Sequence, residues 1–287
     1  MIRHLAAVLV LRLRRRYGAL MDAQLLIICL LTAAINLIGT LAYAARIAGV
    51  RTRRIAMSFA LFNILVLISR TSNSFLGPFL AKRIETRIAS GGGEALYGDF
   101  QLVLLSASLA VALGIVLVPT GQRLFARAIG YFQVHRSTAK MILRTATPTG
   151  LRTVRDAIQP PSLAHLRGLV LNRGVGWGVL LANCLAQALI VVGVLASLYA
   201  GYLNPEFRVT ASQLSAVING FATILLFALI DPQLSVMTDD VVDGRVSEAV
   251  FRRTIIWISL SRLAGTILAQ ALFLPAARLV AWIANHV

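Results

Sequence analysis

Six apolar blocks separated by polar stretches organise the chain. They run from Leu25 to Ala45, Ile55 to Leu80, Leu102 to Pro119, Trp177 to Ala200, Leu214 to Ile230 and Ile255 to Ile283. A helix rises about 1.5 Å per residue, so a hydrocarbon core of about 30 Å needs about 20 apolar residues. Most of the blocks meet that length. The fifth is short unless it extends through Asp231, and the sixth is long and carries Pro275, which predicts tilt or a kink. The pattern predicts an all-α, polytopic integral membrane protein with about six transmembrane helices.

The polar stretches divide the chain further. Residues 1–20 read as a basic N-terminal extension ahead of Met21-Asp22: a short apolar run precedes Arg12, Arg14, Arg15 and Arg16, the reverse of a signal peptide's order. Residues 21–119 hold spans one to three, 120–173 form a basic loop, and 174–287 hold spans four to six. The loop from Arg46 to Arg54 carries Arg46, Arg51, Arg53 and Arg54. The stretch from Thr120 to Arg173 carries nine basic residues against the single acid Asp156. Both fall on one side, which the positive-inside bias assigns to the cytoplasm. Within the long loop, Leu124, Phe125, Ala128, Ile129 and Phe132 recur at helical spacing, and Arg136, Lys140 and Arg144 form a basic stripe. An amphipathic interfacial helix over Arg123 to Arg144 is expected, ended by Pro148 and Pro160-Pro161.

Composition agrees with a bilayer as solvent. Charged residues make up 14% of the 287, against about a quarter in soluble domains. The net charge of +17 comes almost wholly from arginine, since Lys82 and Lys140 are the only lysines. No basic soluble domain stands ready to hold nucleic acid. Cationic loops beside membrane spans instead attract anionic membrane lipids. Cys29 and Cys184 both fall in apolar blocks and read as packing residues.

The informative residues are the polar ones inside the blocks. Ser69-Arg70-Thr71-Ser72-Asn73-Ser74 interrupts the second block, and Asn63, Arg70, Asn73 and Ser74 share a broad helical face. In the sixth, Ser259, Arg262, Thr266 and Gln270 align at three- and four-residue spacing. The first adds Asn36, Thr40 and Tyr43, the fourth Asn183 and Gln187, and the fifth Asn219 and Thr223, with Asp231 near its end. A mid-membrane arginine costs about 2.5–3.5 kcal/mol on an insertion scale. Asp231 alone cannot neutralise both Arg70 and Arg262, so the stripes predict a shared hydrated interior with surplus positive charge. Guanidinium forks in such a place suit phosphate oxygens. Asp231, the one acid near that interior, is the candidate coupling residue.

Asp239, Asp240 and Asp243 have the spacing with which prenyl-diphosphate enzymes hold magnesium, but no second aspartate-rich motif accompanies them. They are weak metal candidates beside a solvated acidic loop facing Arg245, Arg252 and Arg253. An enzyme acting on a prenyl diphosphate is therefore the alternative reading. No nucleotide-binding loop and no nucleophile–base constellation is present, so no cofactor is expected. Two short echoes, Ile35-Asn36 with Ile218-Asn219 and Ser69-Arg70 with Ser261-Arg262, suggest a parallel repeat pairing spans one and five, and two and six.

Between Ile35 and Glu85 the runs Ile35-Asn36-Leu37-Ile38-Gly39-Thr40, Ala45-Arg46-Ile47-Ala48-Gly49-Val50-Arg51-Thr52, Ser58-Phe59-Ala60-Leu61-Phe62-Asn63 and Ile68-Ser69-Arg70-Thr71-Ser72-Asn73 follow in order. In these runs, and more loosely through its six-span layout, the chain resembles the Amj family of lipid II flippases, the alternate to MurJ. The resemblance implies a transporter, not an enzyme, of the bacterial cytoplasmic (inner) membrane. Its substrate would be lipid II, the undecaprenyl-pyrophosphate-linked peptidoglycan precursor. On that reading Arg70 and Arg262 would bind pyrophosphate, while Asn63, Asn73, Asn36 and Asn219 would hydrate sugar or peptide. Arg46, Arg51, Arg53 and Arg54 would gather substrate at the cytoplasmic face. A homodimer would enlarge a small six-span enclosure.

Overall fold

The computed structural model describes residues 22–135, 147, 152, 155–158 and 174–287, and among these it contains helices and turns but no strand. Residues 1–20 and the Arg136 to Arg144 part of the expected interfacial helix lie outside them. Helix α1 spans Ala23–Thr52, α2 Ile55–Ala89, α3 Leu96–His135 and α4 Trp177–Leu203. The fifth span joins α5 (Arg208–Leu225), a π-helical turn (Leu226–Ile230) and α6 (Asp231–Val242), and α7 covers Glu248–Ala284. Six helical spans are thus long and apolar enough to cross a membrane, the architecture of a multi-pass membrane protein.

Two spans differ from their expected bounds. The third does not stop at Pro119: α3 runs through it, so the segment from Arg123 to His135 continues the span instead of starting a separate helix. Long apolar helices tolerate such prolines because neighbouring groups satisfy the freed carbonyls. The fifth is not short, because it continues through Asp231 to Val242. Pro232 has no N–H to donate and its ring crowds the carbonyl four residues back; the chain answers with the wide turn at Leu226–Ile230.

The helices form two halves of like construction. In the first, α1 packs along both α2 and α3; in the second, α4 packs along both the fifth span and α7. The most apolar stretches of α1 and α4 are each 50% buried, and those of α2 and the fifth span each 11%. With three spans per half, the second half crosses the membrane in the opposite sense. Accordingly Ile28, near the start of α1, shares an apolar cluster with Tyr199, near the end of α4. The repeat is therefore inverted, pairing α1 with α4 and α2 with the fifth span. The parallel pairing expected from the Ile-Asn and Ser-Arg echoes is incorrect.

Helix register bears this out. Asn36 stands sixteen residues before the end of α1 at Thr52, and Gln187 sixteen before the end of α4 at Leu203. Arg70 lies fifteen residues into α2 from Ile55, and Thr223 fifteen into α5 from Arg208. Pro78 is twenty-three residues into α2 and Pro232 twenty-four into the fifth span, the extra residue being absorbed by the π turn.

Apolar packing is concentrated at the two ends of the bundle. One cluster gathers the start of α1 and α3 with the ends of α2, α4 and α7, centred on Phe100, Tyr199 and Phe273, whose rings lie 5.1–5.8 Å apart. Beside it, buried Arg83 of α2 binds Asp99 of α3 at 2.9 Å and also Asp22, the N-cap of α1, tying three helix ends together. The other cluster gathers the end of α1 with the starts of α2, α4 and α7 around Ile47, Phe62, Leu234 and Phe251. Between these plugs lies a polar layer.

Candidate functional site

The polar layer contains a partly open cavity of about 290 Å³, walled by α1, α2, α4, the fifth span and α7 of one chain. That volume holds about ten waters at the bulk-liquid share of about 30 Å³ each. Arg70, Arg262, Asn36, Asn73, Asn219 and Asp231 all line it. Helical spacing explains this convergence, because each belongs to a stripe whose period keeps one face inward.

Arg262 reaches across from α7 to α1. Its Nη2 donates to Asn36 Oδ1 at 3.5 Å, while its Nε is buried without a hydrogen-bond partner among the described residues. Asn36 in turn donates Nδ2 to the Thr32 carbonyl at 3.0 Å, which fixes its oxygen towards the arginine. Arg70 reaches across the other seam: Nη1 donates to Thr223 Oγ1 at 3.1 Å, and the guanidinium lies 5.2 Å from the centroid of the Phe227 ring. Among the described residues neither arginine has a carboxylate within ion-pairing distance. The buried Asn219 Oδ1 also lacks a partner.

The candidate coupling acid pairs with neither of them. Asp231 Oδ1 binds Arg46 Nη2 at 2.9 Å. Arg46 is no loop residue, which corrects its expected role in gathering substrate. It lies within α1, 3% exposed, with its guanidinium 5.0 and 4.3 Å from the rings of Phe59 and Phe62. The physical reason is that α1 continues to Thr52, so Arg46 remains inside the packed layer. Arg51, Arg53 and Arg54 do occupy exposed positions at the tight reversal between α1 and α2. There Arg53 adopts a left-handed φ of 54°, and the N–H groups of Arg53 and Arg54 cap the carbonyls of Val50 and Gly49.

Other polar residues separate into lining and packing groups. Asn63 is exposed and outside the cavity: it shares the outer edge of the α2 stripe with Arg70, but its short amide cannot reach back as an arginine does. Gln187 of α4 lines the cavity and is 1% exposed. Asn183 instead binds the Ile258 carbonyl and Ser261 of α7, and Gln270 binds Ser108 of α3 at 2.9 Å. These two staple helices. Asp240 and Asp243 pair with Arg245 at 2.9 and 2.8 Å, and no group of three or more metal-ligating side chains converges among the described residues.

Sequence reasoning passed over Gly39, whose role is steric. A Cβ there would lie 2.6 Å from Arg262 Nη2, so the bare backbone forms the bed of the guanidinium. Gly39→Ala is expected to push the arginine's flexible end aside without disturbing helix packing. Loss of about 1.4 kcal/mol of contact to an anion there would lower transport or binding about tenfold. Parallel transport and thermal-melting measurements check this; a melting temperature that falls as steeply as activity would refute it.

A family model described as Amj, alternate to MurJ, matches residues 31–284. The lipid II flippase Amj of Bacillus subtilis (strain 168) is 35% identical over 262 residues, covering 91% of this chain and 96% of that protein. No solved structure matches.

Proposed function

Since this chain belongs to the Amj family, we propose that it flips lipid II, the undecaprenyl-pyrophosphate-linked peptidoglycan precursor, across the bacterial cytoplasmic membrane. The observation that carries the mechanism is the pair Arg70 and Arg262: two guanidinium groups, without carboxylate partners among the described residues, facing one cavity between inverted halves. Cations held at membrane depth demand compensation, and a pyrophosphate supplies two adjacent anionic groups with oxygens matched to guanidinium forks. Asn36, Asn73 and Asn219 offer neutral hydrogen-bonding groups beside it. Arg51, Arg53 and Arg54 at the α1–α2 reversal collect anionic lipid at the cytoplasmic face.

Room for about ten waters suits the pyrophosphate but not a disaccharide-pentapeptide. Translocation therefore requires the halves to separate at one plug and then the other. An inverted repeat supports such an exchange, because each half can adopt the conformation of its counterpart.

The test is translocation in vesicles reconstituted with the purified full chain. The fraction of lipid II accessible to an externally added, membrane-impermeant modifying enzyme is followed with time. Accelerated exposure of the inner-leaflet pool is expected, with no acceleration for phosphatidylglycerol. Equal rates with and without protein would reject the function.

A further inference from the structure

The walls of the cavity are unequal. Both ends of the bundle are packed by apolar clusters, so neither offers a wide path from water. Among the described lining residues only Arg70, Ser74 and Phe227 are exposed, and all three lie on α2 and the fifth span. Those are also the two least buried spans. Their backbones scarcely approach each other, and Arg70 with Thr223 and Phe227 provides the bridge between them. Arg70 lies about 22 Å along α2, at 1.5 Å per residue, far from either helix end. An exposed guanidinium at that depth would face hydrocarbon at high cost unless an anionic or hydrated group accompanied it.

We infer that the seam between α2 and the fifth span is a lateral slot that holds the isoprenoid chain of a polyprenyl pyrophosphate while its pyrophosphate contacts Arg70. This rests on the flippase reading and deepens it by assigning the lipid tail a site. The cavity takes the charge, and the seam connects it to the bilayer through lips that are apolar and exposed, with Leu67 at 68% on α2 and Phe227 at 47% on the fifth span. Phe227 lies against Arg70, so the lip that covers the slot is also the one the arriving head group must displace.

The seam's place in the repeat supports the same occupant. Arg70 and Thr223 are equivalent positions of the two halves and touch each other, which puts the seam at the relation that exchanges them. A slot there keeps its depth when the halves swap conformations. The tail then remains in hydrocarbon throughout, and only the head group changes sides.

The slot is tested by replacing Leu67 or Phe227 with photoreactive benzoylphenylalanine in the full chain. Leu109 of α3 and Leu181 of α4, 62% and 61% exposed, serve as controls on other lipid-facing surfaces. Each variant is illuminated in phosphatidylethanolamine–phosphatidylglycerol vesicles containing labelled undecaprenyl pyrophosphate. Capture at both seam positions is expected to exceed the controls about tenfold, the ratio given by about 1.4 kcal/mol of preference. Unlabelled undecaprenyl pyrophosphate, but not added phosphatidylglycerol, should compete. Even capture at all four positions, or equal competition by phosphatidylglycerol, overturns the slot. If lipid II still crosses in that case, the transport function stands alone; seam-specific capture without lipid II transport rejects the function and retains the slot.

Discussion

Replacing Arg262 with methionine is expected to abolish transport and at the same time raise the protein's thermal stability. The opposite signs follow from the surroundings of the side chain. Among the described residues its Nε is buried without a partner, its one side-chain hydrogen bond, to Asn36, is long at 3.5 Å, and no carboxylate offsets its charge. Removing a poorly compensated buried ion relieves a penalty of several kcal/mol, and methionine fills comparable space. Against this, a guanidinium bound to pyrophosphate contributes charge-assisted hydrogen bonds of about 1.5–3 kcal/mol each. Loss of about 3 kcal/mol corresponds to a drop of more than a hundredfold in binding or rate. Arg262→Lys should fall between, because an ammonium keeps the charge but not the fork. Arg70→Ala should also remove transport, with little change in melting temperature because the side chain is exposed. Melting in detergent alongside vesicle transport reads both effects. A destabilised Arg262→Met, or one that transports at the wild-type rate, would sink the cavity mechanism.

Which of these residues the sequence could reveal depended on their depth. Arg70 and Arg262 stand out because each interrupts the interior of a long apolar block, where a charge has no inexpensive alternative. Arg46 does not, because it sits where the first block gives way to a basic loop and reads as a cytoplasmic arginine. Only the continuation of α1 through Gly49 and Val50 to Thr52 brings it inside. The partner of Asp231 was equally hidden: Arg70, Arg262 and Arg46 are alternatives by charge, and helix packing alone selects Arg46. The repeat illustrates the same division. Matching residue pairs pointed to spans one and five, whereas the actual relation joins positions of equal depth occupied by unlike residues, Asn36 with Gln187 and Arg70 with Thr223. Depth matches between the halves because both must fit one bilayer, whereas at the seam one half supplies the charge of Arg70 and the other its hydrogen-bond partner Thr223.

The Arg46–Asp231 pair leads to the second large effect. It joins α1 of one half to the fifth span of the other, just after the π turn and at the edge of the cavity. Near the opposite plug the corresponding positions hold Ser197, six residues before the end of α4 as Arg46 is six before the end of α1, and the Gly77-Pro78 step of α2. No ion pair can form there. Under the proposed separation of the halves, the pair would act as a one-sided latch, opening when they part on the Arg46 side. Asp231→Asn leaves Arg46 buried against two phenylalanine rings without its counter-charge, and breaking a buried pair this way costs about 3–5 kcal/mol. Lower accumulation and lost transport are expected. The double variant Arg46→Met/Asp231→Leu replaces the pair with apolar volume, which is neutral or stabilising at many such sites. It should restore accumulation and melting temperature while transport stays absent, since an apolar contact offers no charge to release or protonate. Full transport by the double variant would reduce the pair to a structural staple and remove Asp231 from the transport cycle.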